Sequence, residues 1–337
     1  MAERDALIGA FLAANGWGEA KRTPMGGDAS FRRRERLSDG KRRALLVDAP
    51  PPLEDVRPYI AVADHLRALG FSAPRIFAAE IAAGLLVIED FGDDTYTRLL
   101  ENDADETSLY ALAVDVLIAL HRKPPAAAMP PDLPHYDDAR LLEEAGLLVE
   151  WYVPAIAGER LGEAAERRYF GLWRELLPLA RKVPEALVLR DYHVDNLMWL
   201  PDRKGVRACG LLDFQDAVAG PVSYDLISLL EDARRDLKPG LAGEMNARYL
   251  AAFPGLDRDA FAASSAILAA QRNAKIIGIF TRLCVRDGKP AYLAHIPRVW
   301  RLLEHDLAHA VLEPMRSWFE RHIPPALRRI PKHGVTA

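Results

Sequence analysis

The chain of 337 residues contains little cysteine and no long uninterrupted apolar segment. Its two cysteines, Cys209 and Cys284, do not form a Cys-x-x-Cys pair, which argues against a disulfide framework and favours a reducing cytoplasm. The longest apolar stretch, residues 109–120, is interrupted by Asp115. It is too short to cross a hydrocarbon layer of about 30 Å, and we expect it to form a buried core helix.

The chain also has no excess of basic residues. It contains 44 Lys and Arg against 48 Asp and Glu, which gives a formal net charge of −4. Proteins that bind nucleic acid usually carry a basic surplus, so nucleic acid is not an expected partner. Residues 3–5 carry charges of both signs and precede apolar residues at helical spacing, which predicts an amphipathic helix rather than a signal peptide. We therefore expect a cytoplasmic protein without a membrane partner, and we also expect a monomer.

The pattern of apolar residues changes near residue 92. The predicted strands before it are 31–37, 43–47, 75–80 and 85–88, with one helix at 55–69. The predicted helices after it are 106–121, 138–152, 161–181, 222–235, 241–252, 258–282 and 298–321. The tail from Ile323 is expected to be an irregular surface strap. This order predicts the α+β class, with a small antiparallel β lobe in residues 1–92 and a larger, mainly helical lobe in residues 93–337.

One irregular segment inside the helical part, residues 188–219, carries the candidate chemistry. Asn196 follows Asp191 after five positions, the spacing of a phosphotransferase loop in which the Asp accepts the proton of the substrate hydroxyl and the Asn binds Mg²⁺. A predicted hairpin over residues 197–212 returns the chain to its starting point and brings Asp213 beside Asn196. Carboxylate and amide oxygens suit Mg²⁺, so we predict Asp191 as the catalytic base and Asn196 and Asp213 as metal ligands.

Three motifs around these residues share a pattern with a known family. They are VLRDYHVDNLM at 188–198, LLDFQD at 211–216 and GPVSYDL at 220–226. They resemble the aminoglycoside phosphotransferase/choline kinase family, which implies a protein-kinase-like bilobal fold with ATP and Mg²⁺ as cofactors. The resemblance also implies that Asp225 braces the catalytic loop. A helix N-terminus favours a carboxylate in any case, so a simple capping role is the alternative.

Within this family the chain is similar to the bacterial anomeric kinases of cell-wall recycling. The shared segments are SFRR at 30–33, VDAPP at 47–51, EDFGD at 89–93, DFQDA at 213–217 and QRN at 271–273. Those enzymes phosphorylate N-acetylmuramate and N-acetylglucosamine at the anomeric hydroxyl, which implies a sugar as the small-molecule partner. A kinase of an aminoglycoside, choline or another small alcohol is one alternative, and a nucleotide-binding pseudokinase is another.

The chain departs from the family pattern at two places. Leu189 stands where His is usual, and residues 43–48 contain no lysine at the centre of the predicted strand. Kinases normally hold the α- and β-phosphates with that lysine, so another cation is required. The candidates are Arg32, Arg33 and Arg34, and the sequence does not choose among the three. A solvated strand face is the alternative reading of these arginines.

The remaining nucleotide contacts are assigned to the small lobe and its end. Ser30 and Arg32 are assigned because the loop at residues 25–30 would lie over the nucleotide, its glycines letting backbone N–H groups approach phosphate; a plain hairpin turn is the alternative. Glu89 and Phe91 are assigned because they link the two predicted lobes. In the fold that the resemblance implies, backbone groups of this link form hydrogen bonds with adenine.

Three residues are assigned to the sugar: His193, Asp216 and Arg272. For His193 the alternative is that it orders the loop around Asp191. Muramate carries a carboxylate, so we expect a cation near Asp191, supplied by Arg272 or Lys275. A cationic substrate would instead use carboxylates such as those of Asp195, Asp216, Glu231 and Asp232, and composition does not exclude this alternative.

Overall fold

The computed structural model describes residues 2–26, 32–40 and 42–331. The chain divides into two compact units. The first contains Met1–Ala119, Ala126–Asp132 and Val194–Ala217, and the second contains Leu120–Pro125, Leu133–His193 and Val218–Ala337. The predicted lobe boundary between residues 92 and 93 stays a prediction.

A five-stranded antiparallel sheet forms the frame of the first unit. Its strands are β1 (Lys21–Pro24), β2 (Arg33–Asp39), β3 (Arg42–Asp48), β4 (Ile76–Glu80) and β5 (Leu85–Ile88). They lie in the order β1-β2-β3-β5-β4. The four predicted strands are confirmed. The edge strand β1 was not predicted, because Lys-Arg-Thr-Pro carries no apolar alternation, and a proline is tolerated at a sheet edge.

The two faces of this sheet have different neighbours because strand side chains alternate. On one face, helix α1 (Ala2–Ala14) packs its buried side chains against the sheet residues Leu37, Ala44, Leu46, Leu85 and Val87. On the other face, Val47, Leu86 and Ile88 pack with Val56. The N-terminal amphipathic helix is therefore confirmed as a helix that covers the sheet.

Four helices and one hairpin form most of the rest of the first unit, with the first of these helices inserted between β3 and β4. The helices are α2 (Arg57–Ala68), α3 (Tyr96–Glu101), α4 (Glu106–His121) and α5 (Pro125–Ala128), and the hairpin strands are β7 (Leu197–Trp199) and β8 (Cys209–Leu211). Gly210 of β8 lies against the ring of Phe91, and a Cβ atom at this position would stand 2.9 Å from Cδ2 of that ring. A larger residue there would displace the segment that follows β5.

The second unit is mainly helical. Its helices are α6 (Asp138–Leu147), α7 (Val153–Ala157), α8 (Glu163–Ala180), α9 (Tyr224–Leu230), α10 (Leu241–Ala251), α11 (Arg258–Val285), α12 (Ile296–Leu307) and α13 (Glu313–His322), and its strands are β6 (Glu185–Val188) and β9 (Val218–Pro221). Helix α11 is central, and its Gly278 passes so close to Leu147 that a Cβ atom would lie 2.3 Å from the carbonyl carbon. Only glycine allows this approach of two backbones.

Three sequence predictions differ from the structure in the second unit. The helix predicted at 298–321 is two helices, because the chain turns after Leu307 and α13 starts anew at Glu313, with Pro314 in its first turn, where proline is tolerated. The helix predicted at 222–235 ends at Leu230. Over the described residues 323–331 the tail has one short 3-10 helix, Pro325–Leu327, and Ile323 is buried rather than on the surface. None of the helices in the described ranges combines the length and apolar character that a membrane span requires.

Candidate active site

The first unit contains a cavity of about 270 Å³ beside the sheet. We call it the first-unit cavity. Its apolar wall is formed by Leu45, Val47, Leu86, Ile88 and Met198. Five predicted site residues also line it: Arg32, Glu89, Phe91, Asn196 and Asp213. Ser30 lies outside the described residues.

The two predicted metal ligands meet at the base of the β7–β8 hairpin. Leu197 pairs with Leu211, and the backbone N–H of Leu212 donates to the carbonyl oxygen of Asn196 at 3.0 Å. Asp213 is the next residue, so the prediction that the hairpin returns it to Asn196 is confirmed. The backbone of Asp213 has a φ of 57°, a left-handed conformation that Asp adopts more readily than most residues.

The next residue helps to hold this backbone in place. Phe214 is fully buried, and its ring stacks on Tyr59 of α2 with 5.0 Å between centroids. The side chain of Gln215 donates to Oδ1 of Asp213 at 3.2 Å. The two residues that follow Asp213 therefore hold its backbone and its carboxylate in place.

The donor atoms of Asn196 and Asp213 fit Mg²⁺, which prefers oxygen ligands. Among the described residues no group of three or more His, Cys, Asp or Glu side chains is arranged to hold a metal ion. A cation at this pair would therefore complete its coordination with water and substrate oxygens, as Mg²⁺ usually does.

Two arginines of the β2 region point toward the same carboxylate. The Nη2 atoms of Arg32 and Arg34 each lie 3.7 Å from Oδ1 of Asp213. Arg33, between them, is exposed, because alternate side chains of an extended segment point to opposite sides. Arg32 also lies 3.5 Å from Glu54, measured from Nε to Oε2. The structure thus brings two of the three candidate arginines to the first-unit cavity and directs the third away from it.

Glu89 and Phe91 follow β5 in the chain and line the cavity. Their side chains contact other residues of the first unit. The Glu89 carboxylate accepts a hydrogen bond from Arg203 at 2.5 Å and another from the backbone N–H of Arg75 at 3.1 Å. The Arg203 guanidinium lies 4.9 Å from the centroid of the Phe91 ring. Arg203 was not predicted as a site residue, because it lies in the polar β7–β8 turn among other charged residues.

Asp191 belongs to the second unit and is surrounded by positive charge. Burial alone would raise the pKa of its carboxyl group, but nearby cationic groups lower the pKa below its ordinary value. These groups are Lys275, His193, Arg190 and Arg272. Asp191 is therefore held in its ionised form at neutral pH, the form that accepts a proton.

Asp225 braces the segment that leads to Asp191. Its two carboxylate oxygens accept hydrogen bonds from the backbone N–H groups of Leu189 at 2.6 Å and Arg190 at 3.0 Å. Arg190 has a φ of 69°, and its carbonyl oxygen accepts a hydrogen bond from Ser228 at 3.2 Å. The predicted bracing role of Asp225 is confirmed, and this contact does not need the usual His at position 189.

A buried acid that the sequence analysis did not identify completes this environment. Glu144 of α6 accepts hydrogen bonds from Tyr136 at 2.5 Å, Lys275 at 3.0 Å and Arg190. Burial alone would raise the pKa of Glu144, but Lys275 and Arg190 lower it. The available signal was an acid at a core-facing position of a helix, since Glu144 is buried with Leu141 and its neighbours.

The three predicted sugar residues occupy different environments. His193 is buried, and its backbone N–H donates to the carbonyl oxygen of Asp191 at 3.2 Å. Arg272 is buried and donates to the carbonyl oxygen of Glu231 at 3.1 Å. Asp216 belongs to the first unit, is exposed, and accepts a hydrogen bond from Gln215. His193 and Arg272 thus share the electrostatic environment of Asp191 within the second unit.

We expect the Asp225→Asn substitution to remove a pH dependence from the stability of the protein. Burial raises the pKa of Asp225 to about 7, against the lowering effect of its two backbone donors. A carboxyl group with a raised folded-state pKa stabilises the fold fully below pH ~4, and this contribution is lost as the pH rises through ~7. Urea denaturation between pH 5 and 8 measures the free energy of unfolding of both proteins. The wild-type value minus the variant value should fall by up to ~1.4 kcal/mol per pH unit as the pH rises.

The matched control for this prediction is Asp202→Asn, which changes an exposed carboxylate of the β7–β8 turn. Its unfolding free energy should follow that of the wild type across the same pH interval. A constant difference between the wild type and Asp225→Asn from pH 5 to 8 would contradict the raised pKa.

Known proteins resemble the chain over nearly all its length. The model of the phosphotransferase enzyme family matches residues 21–262. A Caulobacter vibrioides protein named N-acetylmuramate/N-acetylglucosamine kinase is 40% identical over 359 aligned positions, covering 97% of this chain and 99% of the relative. A Pseudomonas aeruginosa protein of the same name is 38% identical over 319 positions, covering 90% of each chain.

The fold is also similar to that of a solved phosphotransferase. The structure of the GDP complex of wild-type aminoglycoside 2'-phosphotransferase-IIIa has a TM-score of 0.59 to this chain at 13% sequence identity, covering 90% of this chain and 98% of that one. At this identity the similarity shows the fold alone. Together with the five-stranded sheet and the helices of the second unit, it confirms the predicted protein-kinase-like α+β class.

Proposed function

The chain belongs to the phosphotransferase enzyme family, and from this premise we propose that it transfers the γ-phosphoryl group of ATP to the anomeric hydroxyl of N-acetylmuramate and N-acetylglucosamine. The observation that carries the proposal is the identity of 40% to a kinase of that name across 97% of the chain. The product would be a sugar 1-phosphate for peptidoglycan recycling. We also propose that the protein carries out this role in the cytoplasm as a monomer.

In the proposed reaction the anomeric oxygen attacks the γ-phosphorus atom. A new O–P bond forms, the bond between that phosphorus and the β–γ bridging oxygen breaks, and ADP leaves. Asp191 accepts the proton of the sugar hydroxyl. The cationic groups around Asp191 support this role, because they offset the effect of burial on its pKa and keep the carboxyl group ionised, as a base must be before it can take a proton.

The first-unit cavity supports nucleotide binding in the same proposal. Its apolar wall suits a flat base, and the backbone of Glu89 and Phe91 would pair with adenine. Ser30 and Arg32 are proposed to contact the phosphates. The similarity of the fold to an enzyme solved with GDP supports a nucleotide as one substrate. Asn196 and Asp213 would hold Mg²⁺, which neutralises charge on the phosphates in this class of reaction.

The sugar is proposed to bind near Asp191 through His193, Arg272 and Asp216. The carboxylate of muramate requires a cation, and Arg272 and Lys275 both contribute positive charge at Asp191. Lys275 also bonds Glu144, so its ammonium group is held in a fixed position. N-acetylglucosamine has no such carboxylate, so a change of Lys275 would affect the two sugars differently.

A panel of acceptors tests the proposal. Purified protein with Mg-ATP should release ADP with N-acetylmuramate and N-acetylglucosamine, and not with kanamycin or choline. Phosphorus NMR of the product should show a phosphate at the anomeric position, since the proposal names that hydroxyl as the attacking group. The measurement is ADP release coupled to NADH oxidation, with a reaction without acceptor as the background.

The results of this panel also separate the other candidate functions. Turnover of kanamycin or choline with neither amino sugar would favour a kinase of a cationic substrate. ATP binding without turnover of any acceptor would favour a pseudokinase. Either outcome would overturn the proposed function.

A further inference from the structure

The first-unit cavity is poor in positive charge. Among the described residues that line it, Arg32 and Arg34 are the only Lys or Arg side chains. Its carboxylates are Asp55, Glu89, Asp90, Asp93, Asp195 and Asp213. ATP would add several negative charges to this set, so the two arginines are the available counter-charges for its phosphates.

Five of these six carboxylates have partners away from the two arginines. Their partners are Arg57 for Asp55, Arg203 for Glu89, Arg36 for both Asp90 and Asp93, and the Thr97 hydroxyl for Asp195. Only Asp213 lies within ion-pair distance of both Arg32 and Arg34. Both arginines therefore lie on the side of the cavity where the proposed metal ligands are.

These two guanidinium groups are not saturated by their ion pairs. A distance of 3.7 Å to Asp213 is beyond the range of a direct hydrogen bond. Within the described part of the chain, the side chain of Arg34 has no other polar contact, and that of Arg32 has only Glu54 at 3.5 Å. Most of their N–H donors are thus not engaged by the described residues.

The strand register explains why the cation is on β2. Arg34 of β2 pairs with Val47 of β3, and Val47 lines the cavity together with Leu45. A kinase usually places its phosphate-binding lysine on β3, where this chain has apolar side chains. Arg34 reaches the cavity from β2, the strand beside β3, at the position that pairs with Val47.

We propose that Arg32 and Arg34 form a phosphate clamp that replaces the β3 lysine, with Glu54 as the positioning residue for Arg32. This inference rests on the proposed function, because it assumes that the cavity binds ATP. A guanidinium group presents a planar fork of donors that matches phosphate oxygens. The Arg32–Glu54 pair then corresponds to the Lys–Glu ion pair that holds the lysine of a protein kinase.

The test compares the affinities of ATP, ADP and adenosine for three glutamine variants in the absence of Mg²⁺. Arg32→Gln and Arg34→Gln should each weaken ATP and ADP binding by about 10- to 100-fold, the effect of losing a charge-assisted hydrogen bond. Adenosine has no phosphate, so its affinity should change less than about twofold in both variants. Arg33→Gln makes the same chemical change on the exposed side of the strand and should leave all three affinities unchanged.

Two further variants refine the test. Arg34→Lys keeps the positive charge but loses the fork, so its ATP affinity should lie between those of the wild type and Arg34→Gln. Glu54→Gln should weaken ATP binding and leave adenosine binding unchanged, because Glu54 acts through Arg32. An equal loss of ATP and adenosine affinity in Glu54→Gln would assign it a structural role instead.

The outcomes distinguish the clamp from the proposed function. Wild-type ATP affinity in both Arg32→Gln and Arg34→Gln would overturn the clamp, even if the wild-type protein phosphorylates amino sugars. An equal loss of ATP and adenosine affinity in these variants would also overturn it. A wild-type protein that binds ATP through both arginines but phosphorylates neither sugar would retain the clamp and refute the proposed function.

Discussion

Replacing Asp191 with asparagine should reduce the turnover number by about 10³-fold, within the range of 10² to 10⁴ that a general base contributes. Asparagine has nearly the same shape but cannot accept the proton of the sugar hydroxyl. ATP affinity should stay close to the wild-type value, because the described residues proposed to bind ATP line the first-unit cavity and Asp191 belongs to the second unit. Single-turnover kinetics and equilibrium ATP binding measure the two quantities separately.

Asp287→Asn is the matched control for this prediction. It removes an exposed carboxylate that pairs with Arg286 in the same unit, and turnover should remain at the wild-type value. A variant with asparagine at position 191 that kept most of its activity would show that another group accepts the proton. A variant that lost ATP affinity in parallel with turnover would contradict the assignment of Asp191 to the chemical step alone.

The parts of this site that were predictable from sequence are local. Asp191 and Asn196 are five residues apart, and a short hairpin determines the return of Asp213 to Asn196. The bracing role of Asp225 was predicted from the family resemblance, and the carboxylate lies only 36 residues from the backbone N–H of Leu189 that it accepts from. In each case the deciding contacts lie within about forty residues of chain, and turn chemistry or strand pairing fixes them.

The parts that were not predictable depend on contacts across long stretches of sequence. Glu144 bonds Lys275, which is 131 residues away, and no local pattern indicates that pairing. Strand alternation separates Arg33 from Arg32 and Arg34, but it does not say which side faces the cavity. That choice is fixed by the pairing of β2 with β3 and by the packing of α1 on the opposite face of the sheet.

Replacing Asp213 with asparagine should weaken the binding of Mg-ATP by about 100-fold, because a metal ion contributes several kcal/mol of charge stabilisation and each 1.4 kcal/mol is a factor of ten. The neutral amide keeps an oxygen atom but removes the negative charge that favours the cation. Turnover at a fixed Mg²⁺ concentration should fall by at least the same factor and recover in part as Mg²⁺ is raised. Titration of the rate with Mg²⁺ measures this shift.

The binding of ATP without Mg²⁺ distinguishes the loss of a metal ligand from damage to the cavity. Asp213 places a carboxylate 3.7 Å from both Arg32 and Arg34, where it competes with phosphate for their positive charge. Its neutralisation should leave Mg²⁺-free ATP bound at least as tightly as in the wild type, while Asp202→Asn should change neither affinity. Equal losses with and without Mg²⁺ would mean that Asp213 supports the shape of the cavity. A loss confined to Mg-ATP would identify Asp213 as the ligand, because only the charge of the metal ion differs between the two measurements.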